Sequence, residues 1–389
     1  MTTASQSVDH LVIGGGPAGS MLASRLAASG RHVTLIERER EPHHKVCGEF
    51  LSREAIGYLH QADIDPLDFG AAAIHRVRLS SGSAIAEASL PFPALSLSRC
   101  TLDEALLARV EENGCRLIRG LAVESLALLG TDWQASLSNG QCIRSGTVFL
   151  ATGKHNLRSF TRTPARQTDL IGFKMHWRLA PTQIAALHGY MDLYLFPGGY
   201  GGLSLIEDDI ANLCFVVRRS TLRRLGLWPE LFTAILQRNR HLQKLLEGAE
   251  PLWPRPLAIS PIPYGYLTRE ERNLWCLGDQ AAVIPSFTGD GISIALHSAA
   301  LAAQMFLSGS NASDYHLALR TQLQRSMALA TRLSQLAVTR IGRVAAHVAL
   351  PLFPEQMQWI ASSTRIQQSS LVLGEHNIAL PDCRRLQQD

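Results

Sequence analysis

Four short stretches hold residues whose types and spacing can do chemistry. The first is Gly14-Gly15-Gly16-Pro17-Ala18-Gly19, a G-x-G-x-x-G run at Gly14, Gly16 and Gly19, with the acid Glu37 about 20 residues on. Gly14 allows a tight strand-to-helix turn, and Gly16 leaves no side chain between the backbone and a pyrophosphate. Gly19 lets helix and strand pack closely. Exposed N–H groups at the helix opened by Pro17 and Ala18 favour a diphosphate, and Glu37, with Arg38 beside it, can accept hydrogen bonds from a ribose. A glycine turn with only structural duties is the competing reading. Strand, helix, strand and acid in that order favour a dinucleotide.

The second stretch, Leu274 to Ala282, is an apolar strand ending in Gly278-Asp279, and the third, Phe287-Thr288-Gly289-Asp290-Gly291-Ile292, opens a helix. An acid at a strand end can hold a polyol through charge-assisted hydrogen bonds. A glycine-flanked helix start stabilises negative charge placed against it. A flavin needs both, for its ribityl chain and for the N1–C2=O edge that becomes anionic on reduction. The fourth stretch, Val46-Cys47-Gly48-Glu49, brings a thiol that can tune or shield a flavin face, although free cysteine is also a common packing residue.

Recognisable elements surround these residues. A strand from Val8 to Ile13, apolar from Leu11 onward, a small-residue helix from Pro17 to Ser29 and a strand from His32 to Ile36 form a βαβ start. The helix at Leu102 to Asn113 has one apolar face, Cys115 to Ile118 returns to the parallel sheet, and Val123 to Leu150 reads as a three-strand meander. Short strands are expected at Arg76 to Leu79 and Ser83 to Ala88. Beyond them, Ile171 to Leu179, Met191 to Phe196, Gly202 to Glu207 and Ile210 to Val217 alternate like an antiparallel sheet. Helices over Thr221 to Leu246, a Pro-rich return over Pro251 to Pro263, and two or three long helices from Ile292 to about Ile360 complete the chain.

At 389 residues the chain is long enough for a large core and an intimately joined domain pair. Its net charge of +4 is mild and no basic block is interleaved with aromatics, so nucleic acid is not expected as a partner. Seven cysteines lie without any C-x-x-C, which indicates neither a disulfide framework nor a zinc site and suits a reducing cytoplasm. His43 and His44 are adjacent, and no His, Asp or Glu cluster has ligand spacing, so no metal is expected. The N-terminus lacks the pattern of a signal peptide, and no apolar run is long enough to span a membrane.

With GGGPAG at 14–19, Glu37, the segment LSRCTLDEALL around Arg99, and GDQAAVIPSFTGDG at 278–291, the chain resembles the FAD-dependent oxidoreductases of the p-hydroxybenzoate hydroxylase-like superfamily. That superfamily includes aromatic monooxygenases, flavin halogenases and geranylgeranyl reductases. The resemblance implies an α/β fold in which a Rossmann-like FAD-binding domain, a parallel sheet with a β-meander, is interleaved with an antiparallel-sheet substrate domain and followed by C-terminal helices. The expected segments are 1–165 and 271–310 for FAD binding, 166–270 for substrate, and 311–389 for the helical region. Implied cofactor contacts are Gly14, Gly16, Pro17, Ala18, Gly19, Glu37, Arg38, Cys47, Gly48, Arg99, Gly278, Asp279, Pro285, Gly289, Gly291 and Ile292. Asp279 is expected on the ribityl chain and Arg99 along the flavin side of the pyrophosphate. For Asp279 a helix cap, and for Arg99 a surface ion pair, are the plainer readings.

The branch within the family is less marked. Cys47-Gly48 is similar to the C-G-G or C-G-E loop of the geranylgeranyl reductases. Asp192 to Pro197 departs from their Y-x-W-x-F-P stretch by Asp192 and Tyr194, and the halogenase W-x-W-x-I-P element is absent. Aromatic hydroxylases carry an Asp-Gly pair after the meander. Here Thr152-Gly153 stands in that place, so NADPH is expected only as a transient reductant, with a separate flavin reductase or other electron donor as the alternative. Candidates for the substrate surface are Lys174, His176, Trp177, Tyr194, Phe196 and Tyr200, and the catalytic candidates are Cys47, His176 and Tyr194, with His155 a further proton shuttle by its pKa range. The expected function is monooxygenation of an apolar or aromatic small molecule in secondary metabolism. A geranylgeranyl reductase-like ene-reductase is the alternative, and a flavin-fold binder of lipid or protein without turnover is a third reading. The arginines and apolar residues of the last helices, Val344 to Phe353 above all, admit peripheral membrane contact, with packing on the protein preferred.

Overall fold

The computed structural model describes residues 5–163, 165–269, 273–352 and 355–372, with the backbone alone at 5 and 349–352. The chain begins with β1 (Ser5–Ile13), α1 (Pro17–Ala28), β2 (Val33–Glu37), β3 (Phe50–Leu51), α2 (Arg53–His60), β4 (Ala72–Ser81), β5 (Ala84–Ser96) and α3 (Arg99–Glu112). Next come β6 (Arg116–Arg119), β7 (Val123–Leu129), β8 (Asp132–Leu137), β9 (Cys142–Leu150), β10 (Leu170–Arg178), α4 (Pro181–Leu187), β11 (Gly189–Phe196), β12 (Gly199–Leu205) and β13 (Ile210–Arg218). Helices α5 (Arg219–Leu225), α6 (Trp228–Arg238) and α7 (Arg240–Leu245) precede β14 (Glu250–Pro251), β15 (Leu257–Ile259), β16 (Tyr266–Leu267), β17 (Trp275–Cys276) and β18 (Ala282–Val283). The helices α8 (Gly291–Leu307), α9 (Ala312–Ala337), α10 (Arg340–Leu352) and α11 (Glu355–Ser363) follow.

The first sheet runs β6-β2-β1-β9-β8-β7, with β17 also on β9. Its members β6, β2, β1, β9 and β17 pair in parallel, while β9, β8 and β7 form the antiparallel meander. Every residue of β2 is buried, as a parallel strand covered on both faces must be. Helix α8 is buried nearly all round from Ile292 to Ala303, and small residues let it pack directly against α1.

The second sheet runs β14-β10-β13-β12-β11-β4-β5-β3, with β15 also on β10. The antiparallel order holds along β10-β13-β12-β11, but β11 pairs with β4 in parallel, so the sheet is mixed. Strands β3, β4 and β5, which the sequence assigns with the rest of 1–165, therefore belong to the substrate-side sheet. Pairing between β4 and β11 joins residues far apart in the chain and leaves no local pattern to read.

Register fixes which side chains face where. Phe173, Met175, Trp177, Tyr194, Phe196 and Phe215 lie on one face and form a core with α4, α6 and α7. There Trp228 stacks on Phe215 with ring centroids 5.5 Å apart and on Phe232 at 5.1 Å. A fully buried side chain of this core, such as Phe215, stabilises the fold by about 1.5–3 kcal/mol. The other face carries Lys174, His176, Leu193, Leu195, Tyr200 and Cys214, and it looks toward the crevice between the sheets.

Candidate active site

A cavity of about 1040 Å³ fills that crevice. At one end it meets the turn after β1, the tip of β2 and the starts of α1 and α8. At the other it runs between the free face of the second sheet and helices α9, α10 and α11.

The glycine turn behaves as its spacing requires. Gly14 has φ of +104°, and a Cβ there would lie 2.5 Å from the Ala151 carbonyl oxygen. A Cβ on Gly19 would fall 1.9 Å from the Gly14 carbonyl oxygen, so this residue serves close packing and does not line the cavity. At Gly16 the nearest obstacle to a Cβ is the Arg99 guanidinium at 3.3 Å, which leaves the backbone open to the cavity. Glu37 is buried at the end of β2, and its carboxylate accepts from the Gly15 N–H at 2.6 Å and the Glu39 N–H at 3.0 Å. Those two bonds hold the acid at the cavity wall.

The second constellation converges on the same space. Gly278, Asp279, Gly289, Gly291 and Ile292 line the cavity, as do Pro17, Ala18, Arg38, Cys47, Gly48 and Arg99. Asp279 accepts from the Lys154 ammonium at 2.9 Å. Burial opposes the Lys154 charge, but Asp279 more than compensates and raises its pKa. Gly289 has φ of +73°, and a Cβ there would press 2.5 Å from the Phe50 ring. Pro285 is a correction: it is buried, absent from the cavity lining, and its carbonyl accepts from the Thr288 hydroxyl to shape the turn before α8. Thr152, standing where the aromatic hydroxylases carry aspartate, lines the cavity and accepts from the Gln280 amide at 3.0 Å.

Arg99 is not a surface ion pair. Its guanidinium makes two 2.8 Å bonds to Asp103, which also takes the Lys45 ammonium at 2.8 Å. Burial works against the Arg99 charge, yet Asp103 raises its pKa above the ordinary arginine range and has its own lowered in return. A fixed cation therefore stands beside Gly16, where a pyrophosphate would need one.

No spacing in the chain announces the cluster around Glu49, the last residue of the Cys47 motif. Glu49 is fully buried with φ of +59°, a conformation that costs a β-carbon-bearing residue about 1 kcal/mol or more. It persists because the carboxylate is tied down on all sides. It accepts from the Arg99 N–H at 2.7 Å and from the buried Lys174 ammonium, and it stands 3.1 Å from His176 Nε2. Burial pushes the Glu49 pKa up, but Lys174 and His176 outweigh it and the net shift is downward. His44, which lines the cavity, packs edge-on against His176 at 4.8 Å. Burial, with Lys174 and His176 nearby, holds the His44 pKa at about 4, so its ring is neutral near pH 7.

His44, Glu49 and His176 thus place one ligand atom each within 4.8 Å of one another, a grouping no sequence spacing announces. The Lys174 ammonium already neutralises Glu49, so the cluster is balanced without a metal ion.

The aromatic candidates divide by face. Tyr200 lines the cavity, its hydroxyl 3.1 Å from that of Ser334. Trp177 stacks on Phe232 under α6, and Phe196 is in the same core, so neither is a pocket residue. Tyr194 borders the cavity, but its ring joins that core and its hydroxyl bonds Asp192 at 3.4 Å, which removes it as a catalytic candidate. His176 lies behind Glu49 and does not itself line the cavity. Asp192, the odd residue of its stretch, is buried with Arg78 at 3.2 Å and His241 at 2.6 Å on the helix side of the sheet. Arg365, on the segment after α11, was not foreseen. It pairs with Asp290 at the α8 start and donates to the Thr288 carbonyl at 2.7 Å.

A diphosphate-ready turn, a ribose acid and a second glycine-acid site at the far end of one crevice define a flavin-binding α/β protein. The family described as FAD binding domain matches residues 7–75. The menaquinone reductase of Mycolicibacterium smegmatis is 26% identical over 368 residues, 88% of each chain. The digeranylgeranylglycerophospholipid reductase 2 of Methanopyrus kandleri is 24% identical over 313 residues, 74% of each chain. Among solved structures, a flavoprotein/dehydrogenase from Cytophaga hutchinsonii superposes with a TM-score of 0.74 at 19% identity, covering 92% of each chain. P. aeruginosa PqsL, in complex with 2-aminobenzoylacetate, gives 0.70 at 18%, covering 88% of this chain and 99% of that one. This chain's N-terminal part thus carries an FAD-binding domain, and the chain shares the fold of these flavoproteins. It is an FAD-dependent oxidoreductase.

Proposed function

We propose that this protein is an FAD-dependent ene-reductase that saturates a double bond in the isoprenoid tail of a lipid, such as a polyprenyl quinone. One observation carries the reading: the cavity continues from the cofactor glycines into an apolar arm walled by Met191, Leu193, Leu195, Val216, Met357 and Ile360. Such an arm suits a long hydrocarbon and offers little to a small polar ring. Similarity along most of their length to reductases of menaquinone and of a geranylgeranyl lipid supports the same substrate class.

FAD, when bound, supplies hydride chemistry at the inner end of the arm. This chain's residues would hold and orient it: Glu37 at the ribose, Arg99 beside the pyrophosphate, Asp279 at the ribityl chain. Gly291 would leave the α8 start open toward its pyrimidine edge, while Gly289 makes room for the Phe50 ring. Reduction of an alkene also needs a proton. We assign it to the Glu49–His176 pair, which meets the cavity through Glu49 and through His44, whose ring packs on His176. The apolar arm excludes water and holds the alkene.

Reducing equivalents are assigned to an external donor, either transiently bound NADPH or a separate reductase. The test is anaerobic: the reduced flavoprotein mixed with a prenyl quinone or a geranylgeranyl lipid should reoxidise and return a product heavier by one dihydrogen. Reoxidation only on admitting oxygen, with a hydroxylated product, would replace this reading by the second one, monooxygenation of an apolar small molecule. That alternative has its own support, since a water-poor cavity also serves oxygen chemistry at a flavin.

A further inference from the structure

We propose that α10 docks this protein on an anionic lipid bilayer, at the mouth of the apolar arm. The proposal rests on the lipid-reductase reading and adds where the substrate is collected. Ile341, Val344 and Val348 are 77%, 56% and 57% exposed, and their spacing sets them along one side of the helix. A neighbouring side of the same helix gives Gly342, Ala345 and Ala346 to the cavity wall. Leu336, at the end of α9, is 46% exposed and also lines the cavity, and Trp359 on α11 is 55% exposed. Single exposed apolar residues are ordinary on any protein surface, but a stripe of them along the wall of an apolar cavity is not.

Charge decides the occupant. Arg340 lies next to Ile341, and Arg343 feels burial, Arg238 and Arg340, all of which lower its pKa. Among the described residues neither Arg340 nor Arg343 has a carboxylate partner. Guanidiniums flanking an apolar stripe match lipid phosphates above acyl chains. The contact is peripheral, because no described helix is long and apolar enough to cross a membrane. The β4–β5 hairpin braces the surface: His347 of α10 shares a 2.9 Å hydrogen bond with the Ser81 carbonyl, and Ile85 is 43% exposed.

The test is flotation of the full-length FAD-loaded protein with vesicles of phosphatidylcholine alone or mixed with phosphatidylglycerol. The protein should float with the mixed vesicles, much less with the neutral ones, and be released by high salt. Ile341→Asp/Val348→Asp should reduce flotation at least tenfold with flavin content unchanged. The exposed single change Arg340→Glu should reduce it several-fold and guards against misfolding of the double variant. Wild type that stays at the bottom, or variants that float equally, would overturn the proposal. So would a stable wild-type dimer that Ile341→Asp/Val348→Asp splits, because the stripe would then cover a second copy. Turnover of a detergent-dispersed prenyl quinone separates the two readings. A protein that turns it over without floating loses only the docking surface, and one that floats without turnover loses only the assigned reaction.

Discussion

The Glu49 carboxylate and the His176 imidazole meet 3.1 Å apart inside the protein, one on the loop before β3 and the other on β10 of the second sheet. Lys174, two residues before His176 and on the same strand face, completes the charge balance. This contact ties the cofactor half of the molecule to the substrate sheet.

Removing one member of such a buried set leaves the others uncompensated, at a cost of about 3–5 kcal/mol. Glu49→Leu is expected to lower stability by roughly that amount in chemical denaturation. Because the folded-state pKa of Glu49 is depressed, its contribution is present above the unfolded carboxylate value of about 4.3 and lost as pH falls through the folded value. The gap between wild type and variant should therefore close in acid. A gap that holds constant well below pH 4 would reject the assignment.

His44 tests the proton path. His44→Ala should leave flavin content intact while turnover falls by about 10²-fold or more, the usual worth of a positioned acid–base group. Equal turnover would remove His44 from the path.

Gly14 and Gly16, two positions apart, should fail in different ways when substituted. Gly16→Val meets only the end of a flexible arginine, so the chain should fold but purify colourless. Gly14→Val meets the Ala151 backbone and an unfavourable φ, so it should not yield soluble folded protein. Yellow Gly16→Val protein would contradict the pyrophosphate role.

Asp279→Ala removes a charged acceptor from the ribityl position. Charge-assisted hydrogen bonds of this kind are worth about 1.5–3 kcal/mol, so FAD affinity should drop by roughly 10–100-fold in titrations of the apoprotein. Unchanged affinity would return Asp279 to a purely structural role with Lys154.

Asp290 gives a pH signature of the opposite sign to Glu49. Burial raises its pKa to about 7 despite the adjoining Arg365. A raised folded pKa means its stabilising contribution is complete below the unfolded value of about 3.9 and is lost as pH rises toward 7. Asp290→Asn should flatten the pH dependence of the melting temperature across that window. Parallel curves for variant and wild type would show that the carboxyl is already ionised at low pH.

Much of the cofactor site could be read from residue order, because its physics is local. The turn at Gly14, the open backbone at Gly16 and the packing at Gly19 each follow from a missing side chain within one βαβ unit. The glycine-acid pair at 278–279 and the α8 start are equally local. Pro285, a cofactor contact that the resemblance implies, sits inside the turn instead.

Residue order is enough to place one dinucleotide turn and one glycine-acid site, to show that the middle strands alternate, and to put Lys174 and His176, two apart, on one face. What lies opposite them is a matter of long-range packing. The left-handed turn at Glu49 sends its carboxylate to β10, the parallel pairing of β4 with β11 draws residues 50–96 into the substrate sheet, and Arg365 reaches Asp290 from beyond α11. Tyr194 and Phe196, two apart in the chain, share one strand face, but packing of α4, α6 and α7 made that face core and left the other as cavity. Period-two alternation says which residues are neighbours on a face. Which face is covered is set by long-range burial, where distant segments compete for the same apolar surface.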